Sequence, residues 1–256
     1  MPKQESFFKY MSSDVASIVL ENLTLKYSNT LDFNDPFDYN PALTTVGISK
    51  LLKRVSEKKN LKIHKKKAFQ NAKVFTSTEF RREASHNFSV TCFCKSPHIA
   101  PMWAHYADLH RGCVLGFGDA TDEELNGMLS SRQWVWDLDG NYLIPHHVKY
   151  TDKRPTIFNS EGLTNTNENG FDACLIKAKA WEYEQELRVI KMKPAGVYPF
   201  DIKQLCSVRF GLNIDPLVRK KLITLVLSLK RKHKINIRLF DVKLDHREFI
   251  LNDVKC

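Results

Sequence analysis

The chain predicts an α+β fold: a single mixed domain with a central, mostly antiparallel β-core and peripheral helices. Three observations predict it. Short runs rich in β-branched and aromatic residues recur between turn signals, while helical spacing is confined to a few segments. The 256 residues are 43% hydrophobic, enough to bury a sizeable core. No Gly, Ser or Pro-rich linker and no internal repeat divides the chain, and its 10 Gly are sparse. The reading is one domain over residues 1–256 with a basic helical insertion at about 47–73.

The elements follow in order. The first stretch reads as a docking element, a short helix and a turn. Ser12, Ser13 and Asp14 supply helix caps ahead of Val15, Ile18 and Val19. "LTLKYS" alternates as a strand, and "NTLDFNDPFDYN" is a turn-rich loop around Asn34, Asp35 and Pro36. "NFSVTCFC" reads as a core strand, "MWAHYADLH" as a short helix and "GCVLGF" as a strand. "DLDGN" marks a hairpin turn within residues 130–152. In "FDACLIKAKAW", Phe171, Leu175 and Ala178 have helical spacing, so a helix is expected to run to about Tyr183. "ELRVIKM" and "QLCSVRF" are strands. A helix with Pro216 at its start and a final strand, "KINIRLFDVKL", close the chain.

Charge narrows the partners. There are 39 Lys plus Arg against 29 acids, a formal net charge of +10, which favours polyanions. Residues 47–73 carry ten Lys or Arg against one acid, Glu57. The segment Lys50–Lys73 is therefore either a solvated helical face or the contact for an RNA or DNA partner. Six Cys without a C-x-x-C pair, no apolar leader in "MPKQESFFKYM" and no run long enough to span a bilayer lead to the expectation of a reduced, cytoplasmic protein off the membrane.

Several chemistries are disfavoured. No G-x-x-x-x-G-K-[ST], G-x-G-x-x-G or G-x-S-x-G occurs. His105 and His110 do not share a helix face, and the adjacent His146 and His147 point apart on a strand, so no metal site is expected. Two clusters stand out. In "MWAHYADLHRG", Tyr106 or His105 can border a pocket, or the aromatics can simply be core. In "KAWEYEQELRVI", Glu184 and Glu186 fall at a helix-to-strand junction with Arg188 two residues on. Such a carboxylate pair can hold a ribose hydroxyl and stabilise an oxocarbenium-like centre, with Arg188 fixing its geometry. The alternative is a salt-bridged outer strand face.

Four blocks, "FKY", "FNDPFD", "MWAHYADLHRG" and "WEYEQELR", resemble in this order a widespread bacterial domain family of unknown function. Their layout is similar to that of ADP-ribosyltransferases, including toxin and phage-defence types. These carry an NAD-contacting residue on an early strand, a Ser, Thr or Tyr near a middle strand, and E-x-E opening a late strand. The resemblance implies an ADP-ribosyltransferase-like fold and transfer of ADP-ribose from NAD to an intracellular acceptor, for which the net charge favours nucleic acid. It implies catalytic Glu186 and Glu184. Lys9 and Tyr10 would border the diphosphate and ribose of NAD, and Tyr106 would stack near the nicotinamide. Asn34, Asp35, His105 and Arg188 complete the expected binding set, and an antitoxin or partner protein is a further expectation. The other reading is a non-enzymatic basic module that binds nucleic acid or a partner.

Overall fold

The computed structural model describes residues 5–40, 88–118, 141–156 and 173–256, with a few isolated positions between 49 and 86. Its centre is an eight-stranded mixed sheet. The strands are β1 (Phe7–Met11), β3 (Ser89–Cys94), β4 (Cys113–Phe117), β5 (His146–His147), β8 (Glu186–Lys191), β10 (Leu205–Phe210), β11 (Arg238–Leu244) and β12 (Leu251–Lys255). Their order is β12-β11-β10-β4-β1-β3-β8-β5. Only β10 and β11 run parallel in this sheet, and the helix Pro216–His233 forms their crossover. Two small sheets flank the large one: β2 (Thr24–Tyr27) with β9 (Gly196–Pro199), antiparallel, and β6 (Lys149–Thr151) with β7 (Ile176–Ala178), parallel.

The docking element "FFKYM" is β1, near the middle of the sheet. Burial on both faces explains why its apolar run scarcely alternates. On one face Phe7 stacks on Phe117 and meets Phe93 edge-on at 4.9 Å. There α1 (Ser13–Asn22) and the crossover helix close the main core through Leu20, Leu222 and Val226. On the other face Tyr10 meets Trp103 edge-on at 5.5 Å, under α2 (Ala100–Tyr106). Ser12 caps α1 by accepting from Val15 N. Asp215 caps the crossover helix, α3, whose Pro216 fills a first-turn position where no N–H partner is needed. Among the described residues no helix is long and apolar enough to cross a membrane.

The structure corrects several expectations. Within residues 173–184 the predicted helix is instead β7 followed by a 3-10 turn, Lys179–Glu184. The buried positions there, Ala173, Cys174, Lys177 and Glu184, would also suit a helix, but pairing of Ile176–Ala178 with Lys149–Thr151 overrides the local spacing. The helix of "MWAHYADLH" stops at Tyr106, short of the predicted His110. Asp108, Leu109 and His110 all take positive φ, folding the chain back so that Gly112 N donates to Ala107 O at 2.8 Å. A Cβ on Gly112 would lie 2.2 Å from Met11 O, so only glycine fits there. Strand β11 is not the last, because β12 adds the sheet edge. The predicted hairpin turn and nearly all of the basic insertion lie outside the described residues.

Candidate functional site

A cleft opens where β1 and β3 part. β1 pairs with β4 along its whole length, but with β3 only at Phe8 opposite Cys94. Lys9 reaches into the gap, where its Nζ donates to the Cys92 carbonyl at 2.8 Å and lies 5.1 Å from the Phe93 ring centroid. The cavity is about 150 Å³, the size of a single ring-shaped group. Its walls include Phe8, Phe33, Met102 and Tyr106, and Asp38, Lys177, Glu184, Glu186 and Arg188 supply the charge.

Sheet register decides which way β8 points. Glu186 lies opposite Cys94 and Arg188 opposite Cys92, on the face that α2 covers. Glu184 is 2% exposed, Glu186 4% and Arg188 1%, whereas Glu182 is exposed. The carboxylates therefore do not form a salt-bridged outer face. Gln185 takes a left-handed conformation (φ 47) between the 3-10 turn and the strand, and this turns Glu184 inward beside Glu186.

Burying so many charges is tolerable only if they pair. Arg188 Nε donates to Glu186 Oε1 at 2.7 Å, and its NH1 donates to Asp38 Oδ1 at 2.9 Å. Lys177 Nζ donates to Glu184 Oε2 at 2.5 Å and to Glu186 Oε2 at 2.8 Å. Asn34 Nδ2 donates to the Tyr106 hydroxyl at 3.2 Å, which donates to Glu184 Oε1 at 2.8 Å. From the other side Glu186 N donates to the Tyr150 hydroxyl at 2.7 Å.

Electrostatics follow from these contacts. Burial pushes the Glu186 carboxyl up, but Arg188 and Lys177 outweigh it and hold the group at about 2. Burial pulls Lys177 down, but Glu186 and Glu184 more than reverse that. Burial lowers Lys9, against the opposing pull of Cys92 and Glu186. Burial lifts the Cys92 thiol, with Glu186 adding to the rise.

A carboxylate offers about four acceptor positions. Glu186 accepts from Arg188 Nε, Arg188 NH2 and Lys177. Among the described residues Glu184 accepts only from Tyr106 and Lys177. Glu184 thus keeps acceptor capacity for a ligand. Lys9 is the cleft cation that makes no ion pair among the described residues.

Of the residues singled out from sequence, Lys9, Tyr10, Asn34, Tyr106, Glu184, Glu186 and Arg188 all line the cleft. Tyr10 contributes its ring, since its hydroxyl donates to Ser96 O at 2.8 Å. Two residues depart from expectation. His105 is exposed on the outer side of α2 and does not line the cleft. Asp35 is buried, but its Oδ1 accepts from Phe37 N at 2.9 Å within the turn, and Asp38 is the loop carboxylate that reaches the cleft. Phe37 is 58% exposed beside Arg154, whereas Phe33 lines the cleft. Sequence reading missed Asp38, Lys177, Cys92 and Tyr150. The Asp in "FNDPFD" after the turn was a visible signal. A lysine seven residues before Glu184 carried none.

Fold and site define a mixed α+β protein with a buried acid–base network at a ring-sized cleft. A family model described as a protein of unknown function (DUF2971) matches residues 102–189. That stretch runs from α2 into β8 and contains Tyr106, Lys177, Glu184, Glu186 and Arg188, while "FKY" and "FNDPFD" lie outside it. No curated protein and no solved structure matches the chain.

Proposed function

We propose that the cleft cleaves the nicotinamide–ribose bond of NAD and passes ADP-ribose to an acceptor, for which the basic charge favours nucleic acid. One observation carries the reading: β1, β3 and β8 lie side by side and all three line the cleft. In this reading they take the parts of the early, middle and late strands of the transferase layout. The middle strand differs, offering Cys92 to the cleft, while Thr91 lies on the other face. The cavity takes one ring, so the ribose or nicotinamide end would enter and the remainder would lie along the mouth. Lys9, without a carboxylate partner, is left for a diphosphate.

In this mechanism the C1′–N bond breaks and its electron pair leaves with neutral nicotinamide. The positive charge developing on the ribose is met by the carboxylates. A lone pair on the acceptor bonds to C1′, and the acceptor proton passes to Glu184 and on to water. Glu186, held near 2, remains ionised and serves as a fixed charge.

Nicotinamide release from NAD, followed chromatographically with and without RNA or DNA, tests the reading. Release that depends on Glu184 supports it. No release with any acceptor would sink it. The second reading, a non-enzymatic basic module, is favoured by the three side-chain donor atoms held on Glu186, as expected of a structural strut. Salt-sensitive nucleic-acid binding without NAD turnover would establish that one.

A further inference from the structure

We propose that Lys177 is the positioning residue of the cleft: its single ammonium keeps Glu184 and Glu186 ionised side by side and thereby sets the acid limit of catalysis. The catalytic half rests on the NAD-cleaving reading; the electrostatic half stands on geometry alone. One Nζ touches Oε2 of both carboxylates, at 2.5 and 2.8 Å, so the two groups lie within the span of one ammonium. Side-chain exposure is 5% for Lys177, 3% for Glu184 and 5% for Glu186. Two carboxylates so close and so dry do not both stay ionised without a cation between them, and one takes up a proton.

The surrounding groups leave Lys177 alone in this task. Arg188 donates to Asp38, Glu186 and the Cys174 carbonyl, and none of its contacts reaches Glu184. Lys9 on β1 donates to the Cys92 carbonyl, makes no contact with Glu184 among the described residues and acts on Glu186 only through space. Cys92 and Cys94 on β3, Tyr106 on α2, Tyr150 on β6 and Tyr183 on the turn are neutral. The ammonium is also held in place. Lys177 is registered opposite Tyr150 in the β6–β7 sheet, and its Nζ lies 5.1 Å from the Trp181 ring centroid. A compact ammonium suits this bridge, since a planar guanidinium matches one carboxylate edge-on.

The experiment compares the parent with Lys177→Met and with Lys177→Met/Glu184→Gln. Infrared difference spectra at neutral pH count protonated carboxyl groups, and the acid limb of the NAD-cleavage profile is measured alongside. Lys177→Met is expected to gain one protonated carboxyl that the double variant lacks. Its acid limb should move up by about one to two pH units. If the Met variant does not fold, Lys177→Gln, which removes the charge and keeps a donor, gives the same comparison. A folded variant with both carboxylates still ionised overturns the proposal. The infrared result in a protein that never releases nicotinamide removes the NAD reading and the catalytic half with it, and upholds the electrostatic half.

Discussion

Arg188 and Asp38, 150 residues apart in the chain, form a bidentate pair, NH1 on Oδ1 at 2.9 Å and NH2 on Oδ2. The guanidinium also lies 5.0 Å from the Phe33 ring centroid. The early loop is thus clamped to the strand that carries Glu186, and the clamp places Asn34 against Tyr106. Folding of the loop and assembly of the cleft are one event.

Breaking this clamp from the cationic side leaves Asp38 and Glu186 buried and under-compensated. Arg188→Met is expected to cost about 3–5 kcal/mol, read as a shift in the urea midpoint at constant slope. Lys53→Ala removes one side of an exposed i,i+4 pair with Glu57 and should change stability by under about 1 kcal/mol. Equal effects would show that the buried pair is not the clamp described.

Acid should weaken the fold through Glu186. Its carboxyl lies at about 2 in the folded chain against 4.5 ordinarily, because Arg188 and Lys177 outweigh the opposing effect of burial. A depressed carboxyl adds stability that is full above about 4.5 and is lost as pH falls toward 2. The amount is about 3 kcal/mol. Asp241 and Asp253 are lowered too and act in the same sense. The difference between parent and Glu186→Gln isolates the one group: the variant's unfolding free energy should fall less between pH 6 and 3.

The two carboxylates should separate in their effects. Glu184→Gln leaves Lys177 paired with Glu186, so the melting temperature should barely move. Nicotinamide release should drop about a hundredfold, the effect of losing roughly 3 kcal/mol of transition-state stabilisation. Glu186→Gln should lower both, since three donor atoms converge on that carboxylate. Full activity in Glu184→Gln would remove it from the chemistry.

The loop separates the same way. Asp35→Ala removes an acceptor from Phe37 N and should cost about 1–2 kcal/mol of stability without changing turnover per folded molecule. Asn34→Ala removes the donor that orients the Tyr106 hydroxyl and should slow NAD cleavage about three- to tenfold at nearly unchanged stability. The opposite pattern would return Asp35 to the cleft.

What the sequence made legible was local. Helix α3 was readable because Pro216 and the Leu222, Val226, Leu229 stripe announce it within one segment. Strands β3, β4, β8 and β10 were readable from their own β-branched and aromatic runs. The two glutamates were readable as a pair, but not their face, since alternation is the same whether a strand's charged side meets water or α2. Lys177 was hidden because a three-residue strand is too short to show a period. Asp38 was hidden because its partner is 150 residues away.

The acceptor is tested on the basic segment from Lys50 to Lys73. Its ten cations have one local acid, Glu57. If they meet phosphate, replacing Lys65, Lys66 and Lys67 together by Gln should weaken RNA or DNA binding alike at every sequence. For each phosphate no longer neutralised, the slope of log affinity against log salt should flatten by roughly 0.7 to 0.9. NAD cleavage without acceptor should barely change, because the residues given to the chemistry, Lys9, Lys177, Glu184 and Glu186, sit on β1, β7, the 3-10 turn and β8, away from this segment in the chain. An unchanged slope would make the three lysines a solvated face and remove the main support for a nucleic-acid acceptor. Loss of binding together with loss of acceptor-free cleavage would instead mean that the segment supports the fold, which a melting curve of the same variant would register.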